Sequence, residues 1–341
     1  MTSPEAMAHA GPPTRIVRFR AMNTDVTLQL VNPGPEAARV LGAAEEVFRK
    51  VERACTRFDP DSALMRANAA GDAWYPVPTE CYLAVSEAAR AHQETAGLFD
   101  PRVLTSLVAL GYDRTLPFES GPVRLTPGRG PADLPWLDAP APPTRALTGA
   151  TGATWTPGLD RAGSAVRIGP CPIDLGGIGK GLAVRWAAQE LAGHGAGHLV
   201  EAGGDCALAG IGPDGDDWTV GVENPEGGDD PVAVLQLTDS GCATSSLRKR
   251  AWHLDGRPVH HLVDPRTGWS AAGGLRSVTV VHTDPAQAEV WSKSLLIAGT
   301  DEVAHLAAQR DLAVLWVGED GRLGASPAIR PRLIWTARDV D

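Results

Sequence analysis

The segment Asp174-Leu-Gly-Gly-Ile-Gly-Lys-Gly181 places four glycines within six residues, directly ahead of a stretch with helical apolar spacing. Glycines let backbone N–H groups close on an anion, and a helix N-terminus adds a favourable dipole. Such a segment can cradle a phosphate with Lys180 beside it. Its spacing matches neither the P-loop nor GxGxxG, so a tight strand-to-helix turn without a ligand is an equal reading. Glu201-Ala-Gly-Gly-Asp205 joins a Gly–Gly turn to two acids; taken alone it is a hairpin turn. His261-Leu-Val-Asp264-Pro-Arg-Thr-Gly268 holds a histidine, an aspartate and an arginine within six residues. They could supply a base, an acceptor and an anion clamp, although DP-x-TG is also ordinary turn chemistry. Glu289 and Lys293 stand four apart on a predicted helix and share a face. Such a pair is ordinarily a surface salt bridge.

Elements able to position these groups are legible in the pattern. Residues 15–30 alternate apolar and polar and predict strands around a small turn. Residues 35–57 carry helical spacing, residues 58–68 predict a turn and a short helix, and residues 79–96 predict a helix with Thr79 as N-cap. The segment 173–195 reads as the glycine turn and a helix of about four turns ended by glycines. HLVEAGGDCALAG reads as strand, turn, strand, and residues 285–299 as a helix with proline in its first turn. Without regular βαβ alternation the expected class is α+β. Residues 1–14 are expected to form a flexible tail, residues 15–341 one two-lobed domain, and residues 117–163, rich in Pro, Gly, Ala and Thr, a long surface loop.

Composition bounds the function. At 341 residues, 43% apolar and 21% charged, the chain can bury a sizeable core. Its formal charge of −10 argues against general nucleic-acid binding. The 31 basic residues include only four lysines: Lys50, Lys180, Lys249 and Lys293. Five cysteines, odd in number and without a CxxC pair, argue against a zinc ribbon or a disulfide scaffold. With no signal-peptide pattern and no run long enough to span a membrane, a cytoplasmic protein is expected.

In combination the motifs resemble the ApbE family, the FAD:protein FMN transferases. The resemblance runs from about Met22 to Gly299. It takes in Met22-Asn-Thr24, Arg57-Phe-Asp-Pro-Asp-Ser62 with Asn68, Thr95-Ala-Gly-Leu-Phe-Asp-Pro101, Asp174–Gly181, Ala202-Gly-Gly-Asp205, Ala243-Thr-Ser245, His261–Gly268 and the 288–299 helix. It implies an α+β, two-lobed ApbE-like fold with FAD in the cleft between lobes. It also implies transfer of FMN from FAD to a Thr or Ser hydroxyl of an acceptor protein, with AMP leaving. FAD contacts are implied at Met22, Leu98, Phe99, Asp100, Asp174, Gly177, Lys180, Thr244 and Leu262. His261 is implied to assist deprotonation of the acceptor hydroxyl or to hold the pyrophosphate, with Asp264 and Lys293 as further catalytic candidates.

The resemblance also implies Mg²⁺, held by the Gly177 carbonyl and by an Asp and a Thr four residues apart on the late helix. Here those two positions read Glu289 and Lys293. A charged lysine has no lone pair to donate, so the reading is that the Lys293 ammonium stands where the metal would, oriented by Glu289. The alternatives are a plain salt bridge with Mg²⁺ elsewhere, FAD pyrophosphate hydrolysis, or FAD binding without catalysis. Finally, Arg145-Ala-Leu-Thr-Gly-Ala-Thr151 resembles the SGAT-like acceptor motif without its leading Asp. Self-flavinylation at Thr151 stands beside the plainer reading of an Ala/Gly/Thr loop.

Overall fold

The computed structural model describes residues 11–118, 123–125 and 154–340. Thr151 and most of the proline-rich stretch lie outside the described residues. Eight strands form the main sheet, in the order Thr14–Ala21, Thr24–Val31, Gly197–Ala202, Asp205–Gly210, Ser240–Ser246, Leu275–His282, Ala313–Gly318 and Leu323–Ala325. Every neighbouring pair is antiparallel. This is the α+β class that the pattern predicts.

Period-two alternation sends successive side chains to opposite faces. Leu28 and Leu30 enter a core shared with helices, whereas Val31 enters the core behind the sheet. Ala243, Val278 and Val280 likewise face the Pro285–Ala298 helix, and Cys242 and Val281 face away from it. The rear core is closed by a small antiparallel sheet of Trp218–Val222, Ala233–Leu237 and Leu333–Thr336.

On the front face the Ala37–Cys55 helix buries Val40, Leu41, Ala44, Phe48 and Val51, a stripe at three- and four-residue spacing. It packs against the Gly179–Leu191 helix, which packs in turn against the Pro285–Ala298 helix. The last contact is close because Gly181 has no side chain. A Cβ there would lie 2.6 Å from Ala286 Cα and 2.8 Å from the Pro285 oxygen.

A separate, smaller core gathers Leu107, Leu110, Tyr112, Trp252, Val259 and Val263. Trp252 Nε1 donates to the Leu110 oxygen at 2.7 Å and ties its two halves together. The 117–163 stretch is not loop throughout. Val123–Leu125 pairs in parallel with Ala251–Leu254, and Gly158–Asp160 pairs with Ala165–Arg167. Thr79 is the first helical residue rather than a cap; Pro78 precedes it and makes no side-chain capping bond. Proline suits that place, since the first N–H groups of a helix lack intrahelical partners. Among the described residues no helix is long and apolar enough to cross a membrane.

The Gly181 contact generates a test. Ala normally favours a helix over Gly by about 1 kcal/mol, but here its methyl would overlap backbone that cannot move cheaply. Gly181→Ala is therefore expected to lower stability by about 1–3 kcal/mol, read as a lower urea midpoint with an unchanged m value.

Candidate active site

Between the helix-covered front core and the smaller core around Trp252 lies a cavity of about 590 Å³, within the range of small-molecule sites. Its wall mixes apolar surface from Met22, Leu98, Phe99 and Tyr112 with six basic side chains: Arg20, Arg49, Arg57, Lys180, Arg250 and Lys293. Three carboxylates, Glu52, Asp100 and Asp174, share the lining. The excess of basic groups gives an acidic chain a local field suited to an anion.

The glycine turn is held from both sides. Asn68 pairs its amide with the backbone of Ile173, Nδ2 donating to the oxygen and Oδ1 accepting from the N–H, each at 2.9 Å. Asp174 N–H donates to the Pro101 oxygen at 2.7 Å, joining the turn to the Leu98–Pro101 segment. That segment is fixed by His92. Nε2 accepts from the Trp155 N–H at 3.1 Å, so Nδ1 carries the proton and donates to the Phe99 oxygen at 3.1 Å. Asp100 accepts from Arg102 N, Nε and Nη2. Met22 enters the cavity from a tight turn in which Met22 and Asn23 both have positive φ, 51° and 58°. Its N–H donates to Glu52 Oε1 at 2.8 Å.

Deeper in, Lys180 Nζ donates to Asp205 Oδ2 and, at 2.7 Å, to Glu289 Oε1. Glu289 Oε2 accepts from the Gly181 N–H at 2.7 Å. Both carboxylates are 2% exposed. Burial works against the Lys180 ammonium, but the two carboxylates outweigh it and hold its pKa above the ordinary lysine value. Burial pushes Asp205 up, with Glu289 adding to it against Lys180. For Glu289 burial is outweighed by Lys180 and Lys293, and its pKa falls. Lys293 is the opposite case. Burial leads, Lys180 and Arg250 add repulsion, and together they outweigh the pull of Glu289 and Asp205.

The cavity thus brings together Met22, Leu98, Phe99, Asp100, Asp174, Gly177, Lys180, His261 and Lys293. Four expected residues stand elsewhere. Asp264 accepts from Arg266 N and Nε, each at 2.9 Å, and Arg266 Nη2 reaches the Ile297 oxygen. The Asp–Arg pair therefore pins the hairpin to the end of the late helix and does not line the cavity. Leu262 is 1% exposed within the core behind His261. Thr244 shares its hydroxyl with Thr279 at 2.9 Å. Glu289 lies behind Lys180. No ion pair closes between Glu289 and Lys293 among the described residues, which corrects the expectation that Glu289 orients Lys293 directly.

Sequence reasoning assigned no role to Arg57, Tyr112 or Arg250. Arg57 lies between Phe58 and Tyr112, 4.1 and 4.3 Å from their ring centres. Its Nη1 donates to the Tyr112 oxygen, and Nη2 is buried without a partner. Only its place in the Arg57–Ser62 motif could have drawn attention to it. Arg250 carried no signal.

The sequence profile of the ApbE family matches residues 22–316. The chain belongs to the ApbE family. A relative from Salmonella typhimurium, named FAD:protein FMN transferase, is 27% identical over 323 residues, 92% of this chain and 86% of that one. One of the same name from Klebsiella pneumoniae is 26% identical over 83% of this chain and 79% of its own. Among solved structures, the ApbE protein of Thermotoga maritima superposes with a TM-score of 0.78 at 26% identity, covering 94% of this chain and 99% of that one.

The metal implied for the ApbE site does not fit the donors present. Both Glu289 oxygens are occupied, by Lys180 Nζ and the Gly181 N–H. The position expected to add a hydroxyl carries the Lys293 ammonium, which repels a cation. Among the described residues no group of three His, Cys, Asp or Glu side chains could hold a metal ion.

Removing the Lys180 charge would strand two buried carboxylates. Lys180→Met is expected to cost about 3–5 kcal/mol of stability at neutral pH. The stranded carboxylates would have pKa values raised above those of the unfolded chain, so the folded variant would bind more protons. Its deficit should therefore shrink as pH falls. Urea unfolding of both proteins at pH 5 and pH 8 checks size and sign together.

Proposed function

We propose that this protein moves FMN from FAD to a threonine or serine hydroxyl of an acceptor protein and releases AMP. Membership of the ApbE family supports the reaction class. The observation that carries the reading is an imidazole without a hydrogen-bond partner at Nδ1 on the wall of a basic cavity. His261 is half-buried and lines the cavity, and its Nδ1 has no hydrogen-bond partner. Burial, then the charges of Arg250 and Lys293 and the neighbouring His260, push its pKa well below the ordinary histidine value of 6.5. It is therefore a free base at neutral pH.

FAD enters as substrate. Met22, Leu98 and Phe99 offer its rings apolar surface, and the basic wall faces its diphosphate. The acceptor oxygen attacks the phosphorus on the FMN side. A new P–O bond forms as the bond from that phosphorus to the bridging oxygen breaks. The bridging oxygen leaves on AMP with the electron pair, and the hydroxyl proton passes to His261. The chain's part is positioning and charge neutralisation, which dominate phosphoryl-transfer catalysis.

Incubation with FAD and a protein domain bearing an SGAT-type motif separates the readings. Transfer gives in-gel flavin fluorescence on the acceptor and an equal amount of AMP. Free FMN and AMP without labelled acceptor would mean hydrolysis, and intact bound FAD would mean storage. The same assay, followed by mass measurement of the protein itself, tests Thr151. His261→Ala is expected to slow transfer by about 10²–10⁴-fold while FAD still binds. The acid limb of the wild-type pH profile should lie below 6.5, because the folded environment disfavours the protonated ring.

A further inference from the structure

Of the basic groups on the cavity wall, Lys293 and Arg250 are set apart by side chains without an ion pair or hydrogen bond among the described residues. The Lys180 ammonium is taken by Asp205 and Glu289, and Arg57 is held by Tyr112 and Asp174. Lys293 forms no ion pair or hydrogen bond among the described residues. Asp205 and Glu289 attract it without an ion pair, and each has an oxygen taken by Lys180.

Its place is nonetheless set. The side chain lies across the glycine turn, so that a Cβ on Gly177 would stand 3.0 Å from Lys293 Cε and 3.4 Å from Cδ. The absent side chain of Gly177 is what lets the lysine stem lie on the backbone there. Lys293 lines the cavity together with His261 and Arg250, and its charge disfavours protonation of His261. Lys180 and Lys293 balance Asp205 and Glu289 in charge, and Lys293 is the member of this group turned to the cavity without a partner of its own. A divalent cation in this corner would face an ammonium that offers no lone pair, and a Glu289 whose oxygens are both engaged. A diphosphate would meet a preplaced donor, and its charge would favour the ammonium form.

We infer that the Lys293 ammonium binds the diphosphate of FAD directly, and that the site works without a divalent metal. The inference rests on FAD being the ligand. In transfer, Lys293 keeps its proton and neutralises the charge that gathers on the bridging oxygen as it leaves with AMP.

The test titrates the EDTA-treated protein with FAD by flavin fluorescence, with EDTA or with excess Mg²⁺, and then adds a domain bearing an SGAT-type motif and follows AMP release under both conditions. Wild type is expected to bind FAD and release AMP equally well in the two. Lys293→Gln should weaken FAD binding by about tenfold or more in EDTA, the scale of one charge-assisted contact. Lys293→Arg should recover most of the loss, and circular dichroism on both variants would report folding. Loss of binding or turnover in EDTA with restoration by Mg²⁺ would overturn the inference and leave the FAD site intact. So would a folded Lys293→Gln that binds as wild type does. If FAD binds under neither condition, the FAD reading itself fails, and this inference with it.

Discussion

Lys180 lies between Asp205 and Glu289, residues 25 and 109 positions away in the chain. Nearly everything in the site depends on that arrangement. The lysine starts a helix, Asp205 starts a strand just after the Gly–Gly turn, and Glu289 sits in the second turn of the Pro285–Ala298 helix. One buried ammonium thereby fixes three elements against one another, and the Gly181 N–H adds a further bond to Glu289. Gains from buried ion pairs are largely offset by desolvation, and breaking one is far costlier than never having made it. The cluster is thus better understood as fixing geometry than as adding net stability. It also shields two carboxylates that would otherwise repel an anionic ligand.

With those charges closed on each other, the cavity keeps its basic character although the chain as a whole is acidic. The glycine turn can then do two things. Its backbone lines the cavity, and its missing side chain at Gly177 makes room for the stem of Lys293. His261 completes the arrangement from the smaller core's side, kept neutral by burial and by the cations around it. A cationic wall and a neutral base are compatible in one pocket for this reason: burial disfavours the protonated imidazole, and the cations that would grip a diphosphate add to that effect.

Local order was legible in the sequence. The helix over Ala37–Cys55, the hairpin at Met22 and Asn23 and the glycine turn ahead of Gly179–Leu191 follow from apolar spacing and turn chemistry. The antiparallel sheet follows from the lack of βαβ alternation. Partner choice was not legible. Spacing places Glu289 and Lys293 on one helical face, yet spacing cannot say that a lysine 109 residues upstream reaches the carboxylate instead. Burial decides that, and burial is a property of the assembled core. Asp264 shows the same limit: within its motif it could be an acceptor at the site, but the fold turns it onto Arg266 two residues later. Arg250 was hidden because arginine is abundant in this chain and it stands in no distinctive pattern, and Arg57 was marked only by its place in the Arg57–Ser62 motif.

A crystal structure of the FAD complex, grown with Mg²⁺ present throughout, addresses the central claim most directly. Diphosphate oxygens are expected within hydrogen-bond distance of Lys293 Nζ, with His261 close to the FMN-side phosphorus and Lys180 still between Asp205 and Glu289. An Mg²⁺ ion bridging the diphosphate to the Gly177 carbonyl and Glu289, with Lys293 displaced from the cavity, would contradict that claim.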